Sequence, residues 1–286
     1  MTTTPLRTLL SDRAIVIAPG VYDAMSAWFA ARAGFAAVFL GGSAMAYTQL
    51  ARPDVNLLAI TEIADTLMRI RDRIDIPIIV DGDSGYGNAV NVQRTVRTLE
   101  RAGASAIQLE DQVNYKPTTA LSSRPTIPIA EMVGKLKAAL DARVDQNLVI
   151  SARTDAASSL GVDEALDRVE AFITAGADLV FVEGLTCLSD IQRLVATVNN
   201  RVPLLYNILE GGTGPVGTAA EAEALGFSVV LFPGAAVQVA ATALDNCLRQ
   251  LRADGSSVSF RNNTFNAKTL NTALGTADFF RNASQY

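Results

Sequence analysis

The stretch of sequence that decides the fold is IPIIVDGDSGYG, residues 76–87. It starts with a short apolar run rich in β-branched residues, which is typical of a strand buried on both faces. It then changes abruptly to acidic and glycine residues, where such a strand would end. Parallel sheets in α/β folds carry their functional polar residues at this end of the strands, so the segment predicts a fold of that class.

Seven further segments repeat the apolar run along the chain. The eight are AIVIAPG (14–20), AAVFLGG (36–42), IPIIVDGD (76–83), SAIQLED (105–111), NLVISARTD (147–155), DLVFVEG (178–184), VPLLYNI (202–208) and SVVLFPG (228–234). The stretches between them, such as 90–102 and 163–175, space apolar residues three and four apart and end in AGA or AGF, where Gly stops a helix. Eight strand–helix units predict a closed (β/α)8 TIM-type barrel.

The length of 286 residues suits one barrel domain, and no Pro/Ser-rich linker interrupts the series. Residues 1–286 are therefore predicted to form a single domain. Residues 256–286 follow the eighth unit and are predicted to be a C-terminal helical extension used in subunit packing.

Composition excludes several classes of function. The net charge of −5 without any run of Lys or Arg gives no surface for nucleic acid or an anionic membrane, and no apolar run reaches the ~18 residues of a membrane span. Histidine is absent, which excludes Ser-His-Asp catalysis and His-ligated zinc. The predicted partner is a small molecule.

A cytoplasmic location is predicted from two features. Cys187 and Cys247 are the only cysteines, too few for a disulfide framework. The start MTTTPLRTLL lacks the basic-then-apolar pattern of a secretion signal.

Polar residues follow most of the predicted strands and should meet at one mouth of the barrel. They are Gly41, Gly42, Ser43, Asp81, Asp83, Glu110, Asp111, Arg153, Asp155, Glu183 and Asn207. Asp81, Asp83 and Glu110 bring three carboxylates together, which repel one another unless a cation lies between them. Oxygen ligands suit Mg2+, or alternatively Mn2+, held directly or through its water shell.

Structural alternatives exist for these residues. Asp81, Asp83 and Asp155 could cap the helices that follow, and for Asp155 capping is the favoured interpretation. The glycines of Gly41-Gly42-Ser43 could present backbone N–H groups to a substrate oxygen or simply form a tight turn. Arg153 is predicted to bind a substrate carboxylate, with structural pairing to Glu183 or Asp155 as the alternative.

With those residues in place, the chain resembles the isocitrate lyase and phosphoenolpyruvate mutase superfamily, especially its methylisocitrate lyase-like and oxaloacetate decarboxylase-like members. The similarity runs from about residue 15 to residue 252. It is carried by PGVYDAMSA, FLGGS, DGDSGYGNAVNVQRTV, QLEDQV, ARTDA, VEG and YNILEGG.

The resemblance implies a Mg2+ site at Asp81, Asp83 and Glu110, with Asp54 close to it. It implies that the backbone of Gly41, Gly42 and Ser43 holds the pyruvate-like part of a small carboxylate substrate. The same resemblance places Arg153, Glu183 and Asn207 in the pocket. It also implies a homotetramer, with exchanged C-terminal helices.

One motif departs from the lyase branch. That branch carries Lys-Lys/Arg-Cys-Gly-His after the fourth strand, with the Cys as acid-base residue, whereas this chain has Lys116-Pro117-Thr118-Thr119-Ala120. A threonine hydroxyl is a far weaker acid than a thiol, whose pKa is about 8.5. Lys116 and Thr118 are candidate catalytic residues, and an ordinary loop is the alternative for the threonines.

The predicted chemistry is cleavage of a carbon–carbon bond in a 2-oxo or 2-hydroxy di- or tricarboxylate such as oxaloacetate, methylisocitrate or dimethylmalate, through a metal-stabilised pyruvate-type enolate. Proton transfer is assigned to Tyr47, Tyr86, Tyr115, Lys116 or bound water without a ranking. The enzymatic alternatives are C–P chemistry on phosphonopyruvate and hydrolysis of oxaloacetate. A silent carboxylate-binding barrel is the non-enzymatic alternative.

Overall fold

Eight parallel strands form a closed barrel in the computed structural model, which describes residues 4–12, 14–113, 124–212 and 214–286. The strands are β1 (Val16–Val21), β2 (Val38–Leu40), β3 (Ile78–Asp81), β4 (Ala106–Glu110), β5 (Val149–Thr154), β6 (Leu179–Val182), β7 (Leu204–Asn207) and β8 (Val229–Phe232). Each lies within one of the eight apolar segments, so the (β/α)8 prediction is confirmed.

The barrel closes between its first and last strands. Val16 in β1 pairs with Val229 in β8, and Gly20 on the other side of β1 pairs with Phe39 in β2. Every other strand pairs with its neighbours in sequence. Because all strands run the same way, the residues that follow them meet at one mouth although they are far apart in the chain.

One helix precedes β1, and at least one helix follows each strand, as the three- and four-residue spacing predicted. They are α1 (Leu6–Ser11), α2 (Ala24–Arg32), α3 (Gly42–Met45), α4 (Ile60–Arg71), α5 (Ala89–Ala102), α6 (Ile129–Ala142), α7 (Ala156–Ser159), α8 (Val162–Ala175), α9 (Leu188–Val198), α10 (Ala219–Leu225) and α11 (Ala235–Asp254). A π-helix, Ala46–Leu50, continues α3. In the part of the chain that the structure describes, none of the helices is both long and apolar enough to cross a bilayer.

Local sequence signals set the ends of these helices. Gly103 after α5 and Gly176 after α8 adopt φ values of 102° and 99°, in the left-handed region that favours glycine. Both stops were predicted from the AGA endings. At the start of α5 the Asn88 side chain accepts hydrogen bonds from the backbone N–H groups of Val90 and Asn91.

The inside of the barrel is apolar except near the mouth. Its buried apolar strand residues are Val16, Ala18, Phe39, Ile79, Ala106, Val149, Leu179, Phe181, Leu205, Val229 and Leu231. A second, larger cluster fills the space between the strands and the surrounding helices. Burial on both faces explains why the strands are apolar throughout rather than alternating.

The chain divides into two units, Met1–Val237 and Gln238–Tyr286. The second unit contains most of α11, a 3-10 turn at Arg261–Asn263, α12 (Ala267–Ala273) and α13 (Thr276–Ala283). The predicted C-terminal helices are therefore present. The single domain with an extension from residue 256 stays a prediction, and the helical unit itself begins at Gln238.

Candidate active site

A cavity of about 710 Å3 lies at the carboxyl ends of the strands. Most of the predicted site residues line it. Its lining includes Phe39, Ser43, Tyr47, Asp54, Asp81, Gln108, Glu110, Gln112, Arg124, Arg153, Phe181, Glu183, Asn207 and Leu231. This volume falls in the range typical of small-molecule sites.

Asp81 and Asp83 form a hydrogen-bonded pair at the end of β3. Asp81 Oδ1 accepts from the backbone N–H of Asp83 at 3.1 Å, and Asp81 Oδ2 accepts from the N–H of Gly42 at 3.3 Å. The Asp83 carboxylate accepts from Asn56 Nδ2 and from the Tyr86 hydroxyl, both at 3.1 Å. These donors orient the two carboxylates.

The loop after β3 has an unusual backbone. Asp83 and Tyr86 adopt φ values of 46° and 61°, although neither is glycine. Such conformations cost of order 1–3 kcal/mol each and persist where the surroundings enforce them, often at functional sites. Capping is not the reason for the two acids, because Asn88 caps α5.

Gly42 leaves space beside both carboxylates. A Cβ atom at this position would lie 3.3 Å from Asp81 Oδ2 and 3.8 Å from Asp83 Oδ2. Neither Gly41 nor Gly42 has a positive φ, so a tight turn does not require these glycines. The Gly42 N–H donates to Asp81 here, whereas the prediction directed it to a substrate oxygen.

Glu110 is buried beside Arg153. Burial raises the pKa of Glu110 well above its ordinary value; Arg153 opposes this shift, while Asp155, Asp83 and Asp81 add to it. Asp81 and Asp83 thus lie close enough to Glu110 to disfavour its charged form. Within the described ranges, however, no three Asp, Glu or Cys side chains are arranged to hold a metal ion directly. The donor set fits an ion that keeps part of its water shell.

Arg153 sits between three carboxylates. Its guanidinium forms two hydrogen bonds with Asp155, at 2.9 and 3.0 Å, and lies 3.4 Å from Glu110 and 3.5 Å from Glu183. Burial alone would lower the pKa of Arg153, but these acids raise it well above the ordinary value. The alternative of structural pairing is thus what the structure shows, although Arg153 also lines the cavity.

Asp155 does not cap a helix, and that prediction is wrong. It precedes α7, but its side chain makes no cap hydrogen bond. Its carboxylate is fully buried and accepts from Arg153 and, at 2.7 Å, from Arg124 Nη1. Burial would raise the pKa of Asp155, but the two guanidinium groups hold it below the ordinary value. Two guanidinium groups lie within hydrogen-bonding distance of the carboxylate, so it pairs with them instead of with the helix.

Asp111 belongs to a separate buried network. Its carboxylate accepts from Thr154 Oγ1 at 2.6 Å, from the Asp155 N–H at 3.0 Å and from Arg168 Nη1 at 2.8 Å. The same Arg168 nitrogen donates to the carbonyl of Ile127 at 2.8 Å. Asp111 therefore ties the ends of β4 and β5 to α8 and is not among the cavity-lining residues.

The remaining described site residues lie around the cavity. Asn207 Nδ2 is 3.4 Å from Glu183 Oε2, and Tyr47 is half-exposed on the π-helix. Asp54 also lines the cavity. Lys116 and Thr118 lie in 114–123, outside the described residues, as do Tyr115 and Thr119.

Comparison with known proteins identifies the family. The family model described as phosphoenolpyruvate phosphomutase matches residues 6–252. The chain belongs to the phosphoenolpyruvate mutase/isocitrate lyase superfamily. It is 39% identical to 2,3-dimethylmalate lyase of Eubacterium barkeri over 96% of this chain and 94% of the relative, and 38% identical to 2-methylisocitrate lyase of Aeropyrum pernix over 96% and 87%. A solved structure of oxaloacetate acetylhydrolase in complex with 3,3-difluorooxalacetate superposes with a TM-score of 0.92, at 30% identity over 99% of this chain and 96% of the other.

Membership of this superfamily confirms the resemblance described from the sequence. The chain is a carbon–carbon lyase of the superfamily, whose members generally depend on a divalent metal ion.

Several residues of the site were not predicted, and three of them make or line its polar contacts. Arg124 lines the cavity and contacts Asp155, Asn56 orients Asp83, and Gln108 lines the cavity from the middle of β4. Of the three, only Gln108 could have been predicted from the sequence, since a polar residue two positions before Glu110 must face the same side of the strand. The roles of Arg124 and Asn56 depend on distant partners.

Proposed function

We propose that this chain cleaves a carbon–carbon bond in a small 2-oxo or 2-hydroxy di- or tricarboxylate, of the oxaloacetate, methylisocitrate or dimethylmalate type, with the help of Mg2+. One observation carries the proposal: a single cavity brings the acidic residues Asp81 and Glu110 together with the guanidinium groups of Arg124 and Arg153. A metal-dependent lyase of this superfamily needs acidic side chains that bind the metal ion and arginine side chains that bind the substrate carboxylates.

The metal would be held by Asp81, Asp83 and Glu110, partly through water, with Asp54 nearby. All of these donors are oxygen atoms, which Mg2+ prefers and Mn2+ also accepts. A bound divalent ion supplies positive charge that accepts electron density from the substrate oxygens as the bond breaks. The space that Gly42 leaves beside Asp81 and Asp83 supports this placement.

The arginines would hold the carboxylates of the substrate. Arg153 is already shared among three acids, so a substrate carboxylate competes with Asp155, Glu110 and Glu183 for it. The described contact of Arg124 uses only Nη1, out of five N–H donors on a guanidinium. We assign to Arg124 the second carboxylate of the substrate, while Glu183 and Asn207 orient the part nearest Arg153.

Cleavage of a 2-hydroxy acid also requires proton transfer. Burial and Asp83 raise the pKa of Tyr86, whose hydroxyl donates to Asp83, so this phenol stays protonated at neutral pH. Tyr47 lines the cavity and is the described tyrosine that we assign to proton transfer at its phenol oxygen. Lys116 and Thr118 remain sequence predictions for the same step, as do Gly41 and Ser43 for backbone contacts with the substrate.

The test is a substrate panel with purified protein. Dimethylmalate, methylisocitrate, oxaloacetate and phosphonopyruvate are incubated with Mg2+, with and without EDTA, and the products are followed by NMR. We expect pyruvate from a hydroxy or oxo acid, lost with EDTA and in Asp83→Asn. The matched control is Asp65→Asn, an exposed acid on α4, which should keep full activity.

Each alternative has its own product in this panel. Oxalate and acetate from oxaloacetate would indicate a hydrolase, and phosphate from phosphonopyruvate would indicate C–P cleavage. Turnover of no compound, with ligand binding intact, would indicate a silent carboxylate-binding barrel and refute the lyase proposal.

Homotetramer formation and a cytoplasmic location stay predictions. Large apolar side chains are exposed in the second unit, among them Leu244, Leu248, Phe279 and Phe280, which supports burial of this surface in an oligomer. Sedimentation equilibrium would distinguish a tetramer from a monomer.

A further inference from the structure

Two polar side chains interrupt the apolar interior of the barrel just below the acids of the site. Gln108 on β4 is 1% exposed, and Ser151 on β5 is fully buried. They are register partners on neighbouring strands. Gln108 is also the register partner of Asp81 on β3, and it lines the cavity. Asp81, Gln108 and Ser151 therefore form one polar row across three strands.

No side chain or backbone group among the described residues satisfies these two side chains. Gln108 Oε1, Gln108 Nε2 and Ser151 Oγ have no hydrogen-bond partner in that part of the chain. Burying an unpaired amide or hydroxyl disfavours folding, and an apolar side chain at either position would avoid this cost. The neighbouring interior positions Ala106 and Val149, on the same two strands, are apolar. Packing therefore does not explain Gln108, whereas contact with a molecule in the cavity that it lines does. Ser151 is not among the lining residues and is the fully buried register partner of Gln108.

The chemistry of the two groups restricts that molecule. An amide has one acceptor and two donors, and a serine hydroxyl both donates and accepts. A group that satisfies both ends of the Gln108 amide must itself donate and accept, as a hydroxyl does. A carboxylate only accepts, and in this row it would be repelled by Asp81 and by Glu110, two residues further along β4. Arg153, two residues after Ser151 on β5, lines the cavity closer to its mouth and attracts carboxylates there.

We propose that the Gln108 amide, with Ser151 buried beside it, forms a hydroxyl-binding subsite that selects a hydroxy acid over the same acid without the hydroxyl. The inference rests on the proposed function in one respect: the cavity binds a small carboxylate. It goes further by naming the residues that recognise the substrate's hydroxyl group. Water could occupy the same subsite, and the experiment separates the two sources.

The test compares L-malate with succinate, which differ by a single hydroxyl group. Their affinities for the full-length protein are measured by isothermal titration calorimetry in the presence of Mg2+. We expect the wild type to bind malate more tightly than succinate. Gln108→Leu, which preserves size, should reduce this preference at least fivefold and leave succinate affinity within twofold. Gln192→Leu, an exposed glutamine on α9, is the matched control and should change neither affinity.

Several results would overturn the subsite. An unchanged malate preference in Gln108→Leu would mean that the row holds water only. An equal loss of malate and succinate affinity would mean a general effect on the cavity. A lower melting temperature of ligand-free Gln108→Leu would indicate a structural role, since loss of an unpaired buried amide should not destabilise the barrel. If Gln108→Leu does not fold, the same paired measurement on Ser151→Ala decides.

Failure of the subsite and failure of the proposed function give different results. The malate and succinate titrations require binding but no turnover. A lost malate preference in Gln108→Leu, without turnover in the substrate panel, would support the subsite and refute the lyase. Turnover with an unchanged malate preference would do the reverse.

Discussion

Replacement of Arg168 by Met should destabilise the fold strongly, although Arg168 lies outside the cavity. Arg168 is 4% exposed, and it is the cation that faces the fully buried Asp111 carboxylate at 2.8 Å. Without it, Asp111 keeps the hydrogen bonds from Thr154 and from the Asp155 N–H but loses its counterion. The removal of one partner from a buried ion pair typically costs about 3–5 kcal/mol, because a charge is left uncompensated. We expect a loss in that range.

The assay is equilibrium urea unfolding at pH 7.5, followed by circular dichroism and by the fluorescence of the single tryptophan, Trp28. The matched control is Arg193→Met, which removes an exposed ion pair with Asp163. No measurable loss is expected there, because solvent screens that pair. The double variant Asp111→Asn/Arg168→Met should recover at least half of the lost free energy of unfolding, since neither position of the former ion pair then carries a charge.

The pH dependence supplies an independent check. Burial raises the pKa of Asp111, and the hydrogen bonds from Thr154, the Asp155 backbone and Arg168 partly offset the rise. In Arg168→Met one of those offsets is absent, so the pKa rises further. A carboxyl with a raised pKa in the folded state binds its proton more tightly there than in the unfolded chain. The deficit relative to the wild type should therefore shrink as the pH falls from 7.5 to 5.

Two results would contradict this reasoning. A loss in Arg168→Met no larger than that in Arg193→Met would show that the buried pair contributes nothing to stability. A deficit that grows as the pH falls would show that Asp111 is not the group left unpaired.

Three further outcomes follow from contacts in and near the cavity. Gly42→Ala places a methyl group 3.3 Å from Asp81 Oδ2, so Mg2+ affinity measured by calorimetry should fall roughly tenfold, with an unchanged melting temperature. Arg124→Gln should raise the KM for a dicarboxylate substrate about tenfold while kcat changes little; a loss confined to kcat would remove Arg124 from substrate binding. Lys135→Met removes the buried ammonium that donates to Ser84 O at 3.0 Å, and urea unfolding should show a loss of about 1–3 kcal/mol.

Most of the fold was predictable, because strands buried on both faces and amphipathic helices leave distinct periods in the sequence. The position of Asp81 and Glu110 at the mouth followed from the same pattern, since all strands of a parallel barrel end on one side. The glycine stops at Gly103 and Gly176 were equally local signals. In each case the information lies within a few residues of the feature.

The partners of individual site residues were not predictable. Asp155 was interpreted as a cap because Asp before a helix usually is one, but Arg124, 31 positions earlier, reaches it across the fold. Asn56, which has a φ of 59°, donates to Asp83 from a distant loop, and no local sequence pattern predicts this conformation. The polar row of Gln108 and Ser151 depends on the register between β4 and β5. Such contacts are set by the closed barrel and not by neighbouring residues.

Closure of the barrel has a consequence for how the protein is made. The ladder between Val16 in β1 and Val229 in β8 joins residues more than 200 positions apart. During synthesis one edge of β1 therefore stays unpaired until nearly the whole first unit has left the ribosome. Nascent chains arrested before β8 should expose two open sheet edges and bind chaperones. Chains arrested after β8 should not, so release from the chaperone marks the moment at which the barrel closes.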